Sequence, residues 1–284
     1  MLKIDDNIRH LIELSLSEDI GKGDLTSDAT IDKDLLAKGL IVSKEDGVIA
    51  GLQLAKEVFC QLDSNLIFQS SFEDGNKVMR GEEIATLKGR VKSILSGERT
   101  ALNFLQRLSG IATLTSKYVE KIMDTGVKVL DTRKTTPGLR VLEKYAVKMG
   151  GGENHRKGLY DMILIKENHI KSAGDISQAI QRAKTKYPNE MIEVEAKDVD
   201  EVKEAVRWEV DWIMLDNMFI EEMKKAVKVI RSSNKNIKIE ASGRVDLNNV
   251  REIALTGVDF VSVGALTHSA PALDLSLLLV ELNP

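Results

Sequence analysis

Residues 131–169, DTRKTTPGLRVLEKYAVKMGGGENHRKGLYDMILIKENH, gather Arg133, Lys134, Arg140, Lys144, Lys148, Arg156, Lys157 and Lys166. Against them stand only Asp131, Glu143, Glu153, Asp161 and Glu167. The whole chain carries 44 acidic residues and 40 Lys and Arg, so this surplus is local. Several of the cations follow short β-branched runs or a glycine run, where a fold can aim them at one point. Such a cluster suits a small polyanion, a carboxylate or a phosphate, because convergent guanidinium and ammonium groups give charge-assisted hydrogen bonds.

Other reactive residue types stand at the ends of short apolar runs. VKVL leads into Asp131, Thr132, Arg133 and Lys134, DMILI into Lys166, MIEV into Glu195 and DWIML into Asp216. IKIEA ends at Ser242–Gly243 and DFVSV at Gly264. Glu195 and Asp216 are hard oxygen donors that suit Mg²⁺ beside a phosphate; alternatively, Asp216 caps the helix that follows it. Ser242–Gly243 and Val263–Gly264 offer main-chain donors to a phosphate, or are simply tight turns. Thr135, Thr136 and Pro137 read as the N-cap and first turn of a helix carrying Leu139, Leu142, Ala146 and Met149. Gly150, Gly151 and Gly152 close that helix, either as a plain C-cap or as a loop that passes close to something, with N–H groups able to face an anion. His155, His169 and His268 fall near the same strand ends, and His10 reads as a surface helix residue. None of the histidines has the i, i+4 spacing of a zinc helix and there is no cysteine partner, so no zinc site is expected.

What must position these residues is a repeated strand–helix alternation. The apolar runs named above, from VKVL to DFVSV, are separated by helical stretches at 175–187, 199–208 and 219–232 and are not alternating apolar–polar throughout. Parallel strands buried between a core and a helical layer read this way, and repeated βα units close most naturally into a barrel, with the C-terminal strand ends on one rim. The first part of the chain has another rhythm. Ile8, Leu11, Ile12 and Leu16 share a helix face, AKGLIVSK and GVIAG are strand-like around Asp46–Gly47, and a helix at 52–62 precedes strands near NLIFQSSF and IATLKG. A long helix is expected from near Ser96, with Leu102, Leu105, Leu108 and Ala112 as its stripe. The expectation is α/β: an incomplete α/β barrel over 110–269, with a smaller α+β N-terminal domain formed by 1–109 plus 270–284.

With 284 residues the chain is long enough for a barrel plus a small domain. It has no basic stripe with interleaved aromatics, which excludes general nucleic-acid binding. Its N-terminus lacks a basic start and a continuous apolar core, and no apolar run approaches a membrane span, so a cytoplasmic protein is expected. Its one cysteine, Cys60, lies on an amphipathic stretch and reads as a buried thiol.

Several segments carry a resemblance. ERTALNFLQRLSGIAT (98–113), the cationic segment 131–159, LIKENH (164–169), EVEAK (193–197), IMLDN (213–217), EASGR (240–244) and SVGALTHSAPALDLS (262–276) closely resemble quinolinate phosphoribosyltransferases, and EDIGKGDLT (18–26) is similar to that family's opening motif. The resemblance implies a reaction of quinolinate with phosphoribosyl pyrophosphate and Mg²⁺, giving nicotinate mononucleotide, pyrophosphate and CO₂. It implies a small domain completed by the C-terminal tail, and a homodimer or dimer-based hexamer whose small domain covers the partner's barrel mouth. Carried over by motif, Arg133, His155, Arg156 and Lys166 bind quinolinate, and Arg99 reaches the partner's site. Lys134, Glu195, Asp216, Ser242, Gly243, Gly264 and His268 serve phosphoribosyl pyrophosphate and Mg²⁺. Arg244 stands where many relatives have a small residue, and Glu167 where Asp is common. The alternatives are a related transferase using another acceptor such as nicotinate, a non-catalytic pyridine-carboxylate binding protein, and a Schiff-base barrel using Lys166.

Overall fold

The computed structural model describes residues 2–233 and 236–283. In chain order the elements are α1 (Asp6–Ile20), α2 (Leu25–Thr30), β1 (Leu36–Ser43), β2 (Gly47–Val48), α3 (Leu52–Leu62), β3 (Ile67–Ser70), β4 (Lys77–Val78), β5 (Glu83–Arg90) and α4 (Val91–Ile122). There follow β6 (Lys128–Leu130), α5 (Arg140–Met149), β7 (Ile163–Ile165), α6 (Glu167–Ala173), α7 (Ile176–Lys186), β8 (Ile192–Ala196), α8 (Val199–Arg207) and β9 (Trp212–Asp216). The last are α9 (Ile220–Ser233), β10 (Lys238–Ser242), α10 (Val250–Ala254), β11 (Phe260–Ser262), α11 (Ala265–His268) and β12 (Leu275–Asn283). Among the described residues no helix is long and apolar enough to cross a membrane.

The chain divides into two compact units, one of Met1–Ser116, Thr136–Gly151 and Ser269–Pro284, the other of Lys117–Thr135 and Gly152–His268. The expected boundary at 109/110 thus falls, in this division, within α4 at 116/117, and the segment bearing α5 clusters with the first unit.

In the first unit an antiparallel sheet runs in the order β12-β1-β5-β3. The C-terminal strand pairs with β1 from Ser43↔Leu275 to Leu36↔Asn283, so the tail supplies an edge strand that the N-terminal segment lacks. Asp5 accepts the Ile8 N–H to start α1, whose Ile8, Ile12 and Leu16 are buried as the spacing predicts, with Leu11 half-buried. The helix expected near Ser96 instead begins at Val91, directly after β5. No proline or turn pair separates the two, so the chain changes conformation without a loop. Leu102, Leu105, Leu108 and Ala112 are buried along this helix. Cys60, expected as a buried thiol, is half-buried.

Around α5 the sequence reading and the structure part in detail. The helix starts at Arg140, with Leu139 as an N-cap that makes no side-chain cap bond. Thr136 is drawn instead to Glu143: its N–H donates to Oε2 at 3.0 Å and its hydroxyl to Oε1 at 2.8 Å. Arg107 of α4 donates to the same Oε1 through Nη2 at 2.8 Å and Nε at 3.2 Å. Glu143 is fully buried, so its charge is held by four donors and no water. At the far end Gly150 passes so close to α4 that a Cβ there would collide with the Ala112 carbonyl and the Thr115 side chain. The close approach anticipated for the glycine run is therefore made to the protein's own helix.

The second unit holds the parallel sheet β6-β11-β10-β9-β8-β7. Its order follows the chain from β7 to β11 and returns to β6, with no ladder among the described residues between β6 and β7: an incomplete barrel. Successive strands are linked by α6 and α7, α8, α9 and α10, the right arrangement for parallel βα units.

Replacing Glu143 with Ala removes the acceptor of a half-buried arginine and of Thr136 together. The expected cost is about 3 kcal/mol in urea-induced unfolding, the usual scale for breaking a buried ion pair. A midpoint unchanged from the parent would contradict this account of α5.

Candidate active site at the strand ends

Strand parity decides which side chains enter the barrel. On β8, Ile192, Val194 and Ala196 share one face and Glu193 and Glu195 the other; on β9, Ile213 and Leu215 oppose Trp212, Met214 and Asp216. The same rule sets Glu240 with Ser242 on β10 and carries Leu164 with Lys166 at the end of β7. A cavity of about 380 Å³ opens at the strand ends, lined by Arg133, Lys134, His155, Arg156, Lys166, Glu195, Asp216 and Ser242 among others. Eight of the residues singled out from sequence therefore line one cavity. That volume lies in the usual range for small-molecule sites.

The cavity's charges are not neutralised pairwise. Arg156 has its pKa lowered, first by burial and next by the positive charge of Arg133, so the two guanidiniums lie close enough to repel. Arg156 Nη1 donates to the Met162 carbonyl at 3.0 Å, which holds it in place. Lys166 donates to Glu195 Oε2 at 2.5 Å. Its N–H donates to His169 Nδ1 at 3.0 Å, so His169 caps α6 rather than lining the cavity. Asp216 has its pKa raised, chiefly by burial and in part by the charge of Glu195, against the Asn217 amide that donates to it at 2.7 Å and the charges of Lys166 and Lys134. Asp216 does not cap α9: that helix starts at Ile220, and the Phe219 N–H goes to Glu222 at 3.3 Å.

Gly264 and Gly243 make room at the last strand ends. A Cβ on Gly264 would lie 3.0 Å from Lys134 Cδ and 3.3 Å from the His268 ring, so its bareness lets Lys134 and His268 meet there. Thr267 donates to the Lys134 carbonyl at 2.8 Å and fixes that backbone. Gly243 has φ 94°, and Asn217 presses against the side where a Cβ would stand. Asn217 and Arg244 themselves have φ 54° and 51°, so the turns after β9 and β10 both hold left-handed non-glycine residues. Arg244 is exposed and its carbonyl accepts the Asn249 amide at 2.9 Å. Glu167 is paired at the surface with Lys171 at 2.7 Å. Arg99 lies in the other unit, on α4, half-exposed and 4.0 Å from Glu98.

Beneath the cavity rim lie two residues that the sequence reading did not assign. Glu193 and Glu240 are fully buried, and His155 Nε2 stands 2.9 Å from Glu193 Oε2 and 3.3 Å from Glu240 Oε2. Among the described residues this is the group of His, Cys, Asp and Glu whose ligand atoms converge, within 4.8 Å of one another. Burial opposes charge on the imidazole, but the hydrogen bonds and charges of Glu193 and Glu240 outweigh it and pull its pKa up to about 10. Glu193 is pushed up to about 7, by burial first and the charge of Glu240 second. His155 Nδ1, however, accepts the Arg156 N–H at 2.8 Å, and a nitrogen that accepts carries no proton. Geometry decides between these pulls: the extra proton drawn to the cluster resides on the carboxyl pair. The signal for both glutamates was present in the sequence. Glu193 is two residues before Glu195 and Glu240 two before Ser242, which puts each on the same strand face one pleat deeper.

Comparison with known proteins adds an independent line. The chain matches the family pattern described as "Quinolinate phosphoribosyl transferase, C-terminal domain" over residues 111–278 and the corresponding N-terminal domain pattern over residues 24–109. It is 47% identical over 267 residues to a probable nicotinate-nucleotide pyrophosphorylase [carboxylating] of Synechocystis, covering 94% of this chain and 90% of that protein. A Bacillus subtilis protein of the same description is 43% identical over 271 residues, 95% of this chain and 92% of the other. The solved structure of the nicotinate-nucleotide pyrophosphorylase from Francisella tularensis superimposes with a TM-score of 0.93 at 44% identity, covering 98% of each chain.

Proposed function

The chain belongs to the quinolinate phosphoribosyltransferase family, and we infer that it transfers the phosphoribosyl group of phosphoribosyl pyrophosphate to quinolinate with loss of CO₂, giving nicotinate mononucleotide for NAD biosynthesis. The observation that carries the reading onto this site is the repulsion between Arg133 and Arg156 in a cavity that Lys134 and Lys166 also line. Cations held together in this way favour a ligand with more than one negative charge. Quinolinate is such a dianion, and planar guanidiniums match carboxylates two bonds at a time.

Arg133, Arg156 and Lys166, with His155 beneath them, take the pyridine dicarboxylate. Lys134, Ser242, Gly243, Gly264 and His268 take the phosphates of the second substrate. Glu195 and Asp216 end neighbouring paired strands, and the charge of one raises the pKa of the other, so two hard oxygen donors share one space. That donor set fits Mg²⁺, which when bound would offset charge on the departing pyrophosphate. Lys166 now holds Glu195 and is itself one of the proposed carboxylate ligands, so substrate and metal would divide this pair between them.

In the transfer, the pyridine nitrogen forms a bond to the anomeric carbon as the bond from that carbon to pyrophosphate breaks. Positive charge develops on the ribose, and the cavity's carboxylates stand near it. The alkylated ring then accepts the electron pair of the C2–carboxylate bond, CO₂ departs, and C2 takes up a proton. Arg133 and Arg156 hold the ring through its other charge during this step. No organic cofactor is required, because the pyridinium is the electron sink.

The same reading carries a homodimer or dimer-based hexamer in the cytoplasm, in which Arg99 reaches the partner's site from α4. A half-exposed arginine paired only loosely with Glu98 suits that task.

Three outcomes follow. Purified protein with Mg²⁺, phosphoribosyl pyrophosphate and quinolinate should yield nicotinate mononucleotide and CO₂ by mass, and nicotinate should not replace quinolinate; turnover of nicotinate alone would move the protein to a non-decarboxylating acceptor class. Arg133→Ala should weaken quinolinate binding about a hundredfold, the loss of roughly one bidentate charged contact, with phosphoribosyl pyrophosphate binding nearly intact by calorimetry. Mixing inactive Arg99→Ala and Lys166→Ala proteins should restore activity as subunits exchange; exchange without recovered activity would argue against a shared site.

A further inference from the structure

His155 has no ring nitrogen left to offer. Nδ1 accepts the main-chain N–H of Arg156 at 2.8 Å, and Nε2 faces Glu193 at 2.9 Å and Glu240 at 3.3 Å. The residue is 9% exposed and its ring lies 5.7 Å from that of Trp212, within the barrel. Its own main chain is tied as well: the His155 N–H donates to Asp131 Oδ1 at 3.0 Å, and the Asn154 amide to Asp131 Oδ2 at 2.6 Å. Glu153 pairs with the end of β6, donating to the Val129 carbonyl at 2.8 Å and accepting from the Asp131 N–H at 3.2 Å. The segment that delivers Arg156 therefore lies along the open side of the barrel, anchored to β6 on one flank and, through the imidazole, to β8 and β10 on the other.

We propose that Glu193 and Glu240 are positioning residues, which hold His155 as the Nε2–H tautomer so that its bare Nδ1 fixes the Arg156 main chain and aims that guanidinium at the substrate. The inference rests on the quinolinate reading above and refines one part of it: His155 serves the dicarboxylate through Arg156, not with a ring N–H of its own. Two carboxylates are needed because β8 and β10 are not neighbours; β9 lies between them. Their joint attraction for one N–H centres the ring across β9, where a single carboxylate would draw it to one side. A neutral imidazole also adds no third positive charge beside Arg133 and Arg156, whose repulsion already opposes their approach.

Tautomer state is a direct readout, independent of turnover. In protein labelled with ¹⁵N at its four histidines, the His155 ring should give one nitrogen of the bare, accepting type and one N–H. Two protonated ring nitrogens, an imidazolium, would overturn the proposal. Glu240→Gln keeps the shape and removes the charge. It is expected to raise the KM for quinolinate about tenfold, the scale of losing an orienting partner, with kcat and the KM for phosphoribosyl pyrophosphate within about twofold. A folded Gln variant with unchanged quinolinate KM would equally overturn it. If the parent protein turns over no quinolinate, the functional reading fails, while the histidine spectrum still decides whether this network exists.

Discussion

Two guanidiniums side by side in a buried setting repel, and the second unit is organised around keeping Arg133 and Arg156 there before any anion arrives. Neither is left to find its own place. Arg133 follows directly from β6, and Arg156 is held at its main chain by His155 and at its guanidinium by the Met162 carbonyl. Rigidity of this kind shifts the cost of assembling like charges from the binding event to folding, where the whole barrel offsets it. A flexible loop bearing the same residues would relax outward into water, and its affinity for a dianion would fall accordingly.

The barrel can hold such a site because its two faces answer to different solvents. Outward positions such as Ile192, Val194, Ile213, Leu215, Ile239 and Ala241 are buried against the helical layer. Inward positions graduate from apolar to polar along the strands. Leu130, Met162 and Trp212 cluster with Phe260 at one end, Glu193 and Glu240 lie between, and Lys166, Glu195, Asp216 and Ser242 stand at the rim. Lys238, 5.1 Å over the Trp212 ring, seals the apolar end with its own stem.

Much of this was legible in the sequence, and the misses have physical causes. The six strands and the helix at 52–62 emerge where their apolar runs and periodicities put them, because burial on a fixed face is what those patterns encode. The onset of α4 at Val91 was invisible, since strand and helix adjoin without a breaker. Thr135–Thr136–Pro137 looks like a cap by residue type, yet Glu143, reached only through tertiary packing, captures both Thr136 donors. At the site, attention fell on residues that end strands; Glu193 and Glu240 sit one pleat further in, where a carboxylate has no role until the histidine that meets it comes from a distant loop. Periodicity gave their face but not their partner.

The pairing of β12 with β1 also sets an order on how the molecule comes into being. Strand β1 leaves the ribosome more than two hundred residues before the strand that flanks it, so during synthesis one edge of its sheet stays open, a hazard for unwanted strand pairing. Every strand of the parallel sheet, by contrast, lies between residues 128 and 262 and is complete before β12 emerges. The barrel is thus free to form first, and the small domain closes last, when its final strand is released.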